Sequence, residues 1–242
     1  MAAAWIGFAG GIVATLVSAL VAIRQQRQSA DLAKLTSDLQ VEVDARRLLF
    51  ERELHAEEVL KRYREPLAAA AFDLQSRLYN ILCLGFFATF GGDHERGATA
   101  EETTLFRLAQ YFGWSEILRR DIQFLSFPEA RDTQRVIELQ AAIGKRFGTS
   151  ADHPGLMIWT DEQRAIGERM IVEEHGKVLC MGYARFNEAY PTLLAPWCDR
   201  LRAELQSEAG WPRLRDLQHL LCELVETLDA RRTRYTEDLE RA

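Results

Sequence analysis

The residues of this chain that could do chemistry form no complete catalytic or metal-binding pattern. His219 and Glu223 stand one helical turn apart, a spacing that a metal pair can use, but no HExxH motif or second histidine completes a ligand set. The run Asp93-His94-Glu95 gathers three possible ligands in a glycine-rich loop, where a solvated surface is the simpler interpretation. We therefore predict no metal site and no cofactor.

Nucleophile and phosphate-binding motifs are missing as well. The chain has no G-x-S-x-G motif, and Cys83 and Cys180 lie among apolar neighbours, which predicts buried packing residues. The stretch GKRFGTS at residues 144–150 lacks the G-K-[ST] order of a phosphate loop and follows a predicted helix rather than a strand. The sequence thus favours a protein that is not an enzyme, although an enzyme with an unrecognised site stays an alternative.

One polar cluster lies on a helix that is otherwise apolar. Asp73, Arg77 and Asn80 share a face of the helix predicted after Pro66, and Asp73 is four residues before Arg77, the spacing of a helical ion pair. A solvated face, a buried network and a ligand pocket between helices are all compatible with this pattern. We predict the buried network, with ligand binding as the next interpretation.

Residues 1–23 are the most apolar part of the chain. Ala2 to Ile23 carries no charged side chain, and a helix of that length spans roughly 33 Å, close to the ~30 Å hydrocarbon core of a bilayer. Trp5 and Arg24 would lie at the two membrane interfaces. The segment therefore predicts a transmembrane helix and a lipid bilayer as partner. A buried core helix and a signal peptide are the alternatives, but a signal peptide carries its positive charges before the apolar run.

The charges beside this segment predict its orientation. Arg24 and Arg27 follow the apolar run and none precedes it, which favours an N-terminus outside and a cytoplasmic C-terminal domain. Small residues also recur every four positions on one face, and such a face lets two helices approach closely in lipid. The small residues are Ala3, Gly7, Gly11, Thr15 and Ala19. Self-association through this face is one interpretation, and an incidental pattern is the other.

Residues 24–65 predict one long, charged stalk helix. A narrow apolar stripe runs along it, with an eleven-residue step from Leu32 to Val43 and a seven-residue step from Val43 to Phe50. Such steps favour a nearly straight coiled coil between chains, with packing on the chain's own domain as the alternative. The stripe consists of Leu32, Leu35, Leu39, Val43, Phe50 and Leu54.

Residues 66–242 predict an all-α domain of six to eight helices. We expect Pro66 to begin a new helix, because proline forces the preceding residue out of helical geometry. The stretch KVLCMGY at 177–183 fits either a strand or the start of a helix. Further predicted helices cover residues 101–112, 113–127, 128–148, 160–176, 184–209 and 212–239, and the helix over 184–209 is expected to break near Pro191 and Pro196.

The overall pattern narrows the class of function. The net charge of −6 and the lack of a basic stripe argue against a nucleic-acid-binding protein. An apolar span, a stalk and a helical domain without a catalytic pattern favour a single-pass membrane-anchored scaffold or signalling component. It would act at the cytoplasmic face as an oligomer, with a protein partner that the sequence does not identify. The alternatives are a sensor that binds a small ligand near Arg77, an enzyme, and a pore subunit, although the span has no polar face to line water.

Overall fold

The structure is a computed structural model that describes residues 2–123, 131–150, 155–229, 234–235 and 239–242. Side chains at residues 2–23 and at several other helical positions lie outside that description. The chain divides into two units, Met1–Glu51 and Arg52–Ala242.

The described chain is mostly helical, which confirms the predicted all-α class, and it includes a two-stranded hairpin. Its helices and strands are α1 (Ala2–Cys83), α2 (Phe86–Phe90), α3 (Gly97–Gln123), α4 (Arg131–Gly148), α5 (Thr160–Met170), β1 (Ile171–Glu174), β2 (Lys177–Cys180), α6 (Tyr183–Ala189), α7 (Ala195–Glu204) and α8 (Trp211–Leu228).

The prediction that a new helix begins at Pro66 is wrong, because α1 continues through this residue. A proline inside a helix lacks one backbone N–H and costs about 3 kcal/mol or more. Leu60 and Tyr63 before the proline and Leu67 after it are buried in the same hydrophobic core. Packing on both sides of Pro66 therefore offsets the cost, and the core begins within the segment that was predicted to be stalk.

The helices predicted over 101–112 and 113–127 form a single helix, α3. Gly113 does not break it. A Cβ at Gly113 would lie 2.6 Å from Cys180 Sγ and 2.8 Å from Met170 Cβ, and a Cβ at Gly167 would lie 2.7 Å from the Phe112 carbonyl oxygen. The two glycines are thus required where α3 approaches α5 and β2 closely, and their role is packing rather than helix termination.

The helix predicted over 160–176 ends at Met170 and is followed by the hairpin. β1 and β2 are antiparallel, with Ile171 opposite Cys180 and Glu174 opposite Lys177. His175 and Gly176 connect the strands with positive φ angles of 52° and 72°, as a type I′ turn requires. The prediction that a helix extends to Gly176 is therefore wrong, and the ambiguous stretch 177–183 contains β2 and the first residue of α6.

The C-terminal helices are shorter than predicted. The segment predicted over 184–209 with breaks near Pro191 and Pro196 consists of α6, a π-helical turn at Tyr190–Leu194 and α7, and α8 ends at Leu228 rather than at 239. Residues 239–242 contact α8 instead. Gln218 donates from Nε2 to the Glu240 carbonyl and accepts from the Ala242 N–H at 3.2 Å.

Candidate functional site

Arg77 is a charged residue buried in the helical domain. It lies in the last part of α1 between Leu74 and Ile81, which are core residues, and its side chain is only 8 % exposed. The apolar spacing that places Leu74 and Ile81 in the core brings Arg77 into the domain with them, toward α2 and α3.

Most hydrogen-bond donors of Arg77 have no acceptor among the described residues. Its Cζ lies 3.8 Å from the centroid of the Phe86 ring, and Nη2 donates a long hydrogen bond of 3.5 Å to Thr103 Oγ1. Nε and Nη1 are buried and have no hydrogen-bond partner among the described residues. An aromatic face attracts a cation, but it offers no acceptor to the N–H groups in the plane of the guanidinium.

A second cation adds to the positive charge at this place. Arg107 lies on α3 and donates from Nη1 to the Asp73 carbonyl oxygen at 3.0 Å. Burial and, to a smaller extent, the charge of Arg107 together lower the pKa of Arg77 to about 10. No carboxylate of the described residues forms an ion pair with either of these two guanidinium groups.

The three polar residues predicted to form a network lie close in sequence but are not joined. The Asp73 side chain is exposed and Asn80 is half-buried, whereas Arg77 is buried. In the described part of the chain, no hydrogen bond joins Arg77 to either of the other two side chains.

Three residues that interact with Arg77 were not identified from the sequence. Thr103, Arg107 and Phe86 lie on other helices, so no local spacing relates them to Arg77. The sequence feature that pointed to one of these residues was the aromatic pair at residues 86–87, directly after a glycine.

A short aromatic helix carries Phe86 to the guanidinium. The helix α2 begins directly after Gly85, whose φ of 62° is a left-handed conformation that glycine adopts readily. The Phe86 ring packs against Phe87 and Phe90 at centroid distances of 5.2 and 5.6 Å. At the other end of α2, Gly91 is followed by Gly92 with a φ of 60°. Two glycine-containing segments therefore bound the helix that covers Arg77.

The other candidate residues make structural contacts or are exposed. His219 Nε2 lies 2.7 Å from the Ala242 carbonyl oxygen, and Glu223 accepts from Arg135 Nη2 at 2.8 Å. Within the described residues, no group of His, Cys, Asp and Glu side chains could hold a metal ion. Burial raises the pKa of Cys180 to about 12, whereas Cys83, predicted to be buried, is exposed.

The apolar stripe of the predicted stalk is exposed along its length. Its six side chains, from Leu32 to Leu54, are 51–64 % exposed. The flanks of the same helix carry ion pairs one turn apart, between Glu42 and Arg46 and between Arg47 and Glu51. The stripe is therefore apolar surface in the single chain.

The predicted span at residues 1–23, with its face of small residues, lies outside the described side chains. In the part of the chain whose side chains are described, no helix has both the length and the apolar character needed to cross a membrane. A cavity of about 20 Å³ in the core is lined by apolar side chains including Leu74, Leu105 and Leu214, and such a volume holds about one water molecule.

Comparison of the chain with models of protein families, with curated proteins and with solved structures finds no match. We therefore infer the function from the residues of the chain itself.

Proposed function

We propose that this protein is a single-pass membrane-anchored scaffold or signalling component that acts at the cytoplasmic face as an oligomer. The observation that carries the proposal is the absence of any charged residue from Ala2 to Ile23, followed by Arg24 and Arg27. In a bilayer such a segment satisfies its backbone polar groups internally only as a helix. The arginines favour a cytoplasmic location for everything that follows them.

The exposed apolar stripe supports self-association. Leu35, Leu39 and Phe50 are each more than half exposed. Burying apolar surface gains about 25 cal/mol per Å², and a stripe that is two residues wide in seven fits the seam of a coiled coil. A second copy of the chain offers the same stripe and the same balanced charges on its flanks.

Membrane extraction tests the anchor. We expect the full chain to stay in the membrane pellet after a carbonate wash. Gly11→Arg should abolish stable insertion, because a charge at the centre of a span costs about 2.5–3.5 kcal/mol on insertion scales. Gly11→Ala is the matched control and should remain in the pellet. Recovery of the full chain in the soluble fraction would contradict the anchor.

The exposed thiol of Cys83 tests the orientation. A membrane-impermeant maleimide applied to intact cells should not label Cys83, whereas the same reagent should label it after lysis. Cys83→Ser identifies the signal that belongs to this thiol. Labelling of Cys83 in intact cells would mean that the domain lies on the outer side.

Disulfide cross-linking tests the oligomer. In a Cys83→Ser background, Leu39→Cys should form a covalent dimer on mild oxidation, because this position lies in the proposed seam. Ser37→Cys faces nearly the opposite side of the helix and should cross-link much less. Equal cross-linking at both positions would argue against a seam formed by the apolar stripe.

A second candidate function is a membrane-anchored sensor that binds a small ligand between helices of the domain. The unmet donors of Arg77 favour it, since buried polar groups of folded proteins nearly always have partners. Its test is ligand binding that depends on Arg77. A scaffold without a ligand should instead keep all its activities when Arg77 is replaced.

A further inference from the structure

We propose that Arg77, Arg107 and Thr103 form a binding site for a small oxyanion of the phosphate class, covered by Phe86. The proposal rests on the second candidate function, the sensor, and names its class of ligand. It does not depend on the membrane anchor or on the oligomer, because all its residues belong to the unit Arg52–Ala242.

The guanidinium of Arg77 lacks hydrogen-bond acceptors among the described residues for two of its nitrogens. Nε and Nη1 of Arg77 are buried without a partner, and Nη2 has only the 3.5 Å contact with Thr103. A guanidinium presents its N–H groups as a planar fork that matches two oxygens of one anion. A bound oxyanion would accept from the nitrogens that the described protein residues leave without an acceptor.

The positive charge around Arg77 also favours an anion. Arg77 and Arg107 bring two positive charges to facing positions on α1 and α3, and neither forms an ion pair with a described carboxylate. A phosphate or phosphate monoester carries up to two negative charges at neutral pH, which balances the two arginines, whereas a carboxylate carries one. In this structure the Thr103 hydroxyl donates to the Thr99 carbonyl oxygen at 2.7 Å, and on binding it would rotate toward the anion as a third donor.

The Phe86 ring controls the access of an anion to Arg77. The unmet nitrogens of Arg77 are not accessible to solvent while the Phe86 ring lies 3.8 Å from the guanidinium. Phe86 belongs to α2, a helix of five residues that begins after Gly85 and ends before Gly91 and Gly92. Rotation at these glycines would move the ring away from Arg77, so α2 can act as the cover of the site.

Thermal melting of the purified full chain in neutral detergent tests the site. Inorganic phosphate is titrated against chloride at constant ionic strength. We expect a saturable rise in Tm of roughly 5–10 °C at a phosphate concentration one hundred times the Kd. Arg77→Met should remove this rise, and its Tm without phosphate should equal or exceed that of the wild type, since an unpaired buried charge is gone.

Two further variants keep the test decisive. Arg107→Met should weaken the apparent affinity for phosphate at least tenfold, and it removes a less buried arginine in case Arg77→Met fails to fold. Arg215→Gln replaces an exposed arginine on α8 and should keep the full phosphate response. A phosphate response that is absent from the wild type in every medium, or unchanged in Arg77→Met and Arg107→Met, would overturn the proposal.

A second arm distinguishes free phosphate from a lipid headgroup. The full chain is reconstituted into vesicles of phosphatidylcholine, with or without phosphatidic acid. A rise in Tm that needs phosphatidic acid, depends on Arg77 and does not occur with inorganic phosphate would assign the site to a lipid phosphate. Failure of both arms removes the phosphate site but leaves membrane extraction and cross-linking untouched, so it is distinguishable from failure of the scaffold.

Discussion

Arg213 stabilises the end of α4, and its replacement gives the sharpest test of the structure. The side chain is 1 % exposed. Its guanidinium donates to the carbonyls of Gly155 at 2.9 Å, Phe147 at 3.1 Å and Thr149 at 2.7 Å, and also to that of Arg146. These include the last carbonyls of α4, which have no partner within the helix. A side chain of α8 thus serves as the C-terminal cap of another helix.

The cost of Arg213→Met follows from these contacts. The Phe147 carbonyl also accepts from the Ile158 N–H at 2.9 Å, so it keeps one hydrogen bond. The other three carbonyls lose a charged donor. Because these three carbonyls are only part-buried, each acceptor that loses its donor is taken at the lower end of the cost, about 1 kcal/mol, and the sum is about 3 kcal/mol. Methionine fills most of the vacated volume, so a cavity adds little.

Urea denaturation of the full chain, followed by tryptophan fluorescence, measures this loss. Trp211 packs against the hydrophobic core two residues before the mutated site and reports on it directly. Arg215→Met changes an exposed arginine on the same helix and should alter the free energy of unfolding by less than about 0.5 kcal/mol. A loss below about 1 kcal/mol for Arg213→Met would refute the capping role.

Two further predictions concern packing and pH. Gly113→Ala should lower the free energy of unfolding by about 1–3 kcal/mol in chemical denaturation, because the new Cβ would lie 2.6 Å from Cys180 Sγ. At Gly182 a Cβ would have no atom within 4 Å, so Gly182→Ala should leave the free energy of unfolding nearly unchanged. Burial opposes ionisation of Glu116, but hydrogen bonds from Arg119 and Arg120 outweigh it and lower its pKa. The stabilisation from Glu116 is therefore present above the unfolded-state pKa of about 4.3 and is lost as the pH falls through the lower folded-state pKa. Denaturation at a series of pH values should show a weaker acid-induced loss for Glu116→Gln, and an unchanged pH profile would contradict this.

Helical periodicity in the sequence is enough to locate the core face of the last part of α1. Leu67, Leu74, Leu78 and Ile81 recur at helical spacing, and all four are buried. This works because a wide apolar face must be covered wherever the helix packs, so its position can be read from local sequence alone.

Glycine and proline were the residues that misled the sequence interpretation. Pro66 and Gly113 have strong local preferences against a helix interior, yet tertiary packing keeps both inside α1 and α3. Gly176 follows His175 in a sequence that suits a helix end as well as a hairpin turn. Only the pairing of β1 with β2 decides between them, and that pairing involves residues whose strand periodicity is too short to recognise.

The contacts of the polar cluster on α1 could not be predicted from local sequence either. The sequence placed Asp73 one turn from Arg77 and thereby suggested an ion pair. The helix instead leaves the Asp73 side chain exposed while its carbonyl accepts from Arg107. Which charge lies near a buried arginine depends on the neighbouring helix, and no spacing within α1 contains that information.

Arg213 and Arg77, the two most buried arginines among the residues whose burial is described, therefore lead to opposite expectations. Arg213 has an acceptor for each of its nitrogens, and the structure should lose stability when it is removed. Arg77 keeps Nε and Nη1 unmet against an aromatic ring, and the domain should hold or gain stability when it becomes methionine. A side chain that costs stability in the folded chain needs another reason to be charged. The binding of an anion would be such a reason, because ligand-binding sites are often less stable than an apolar core would be.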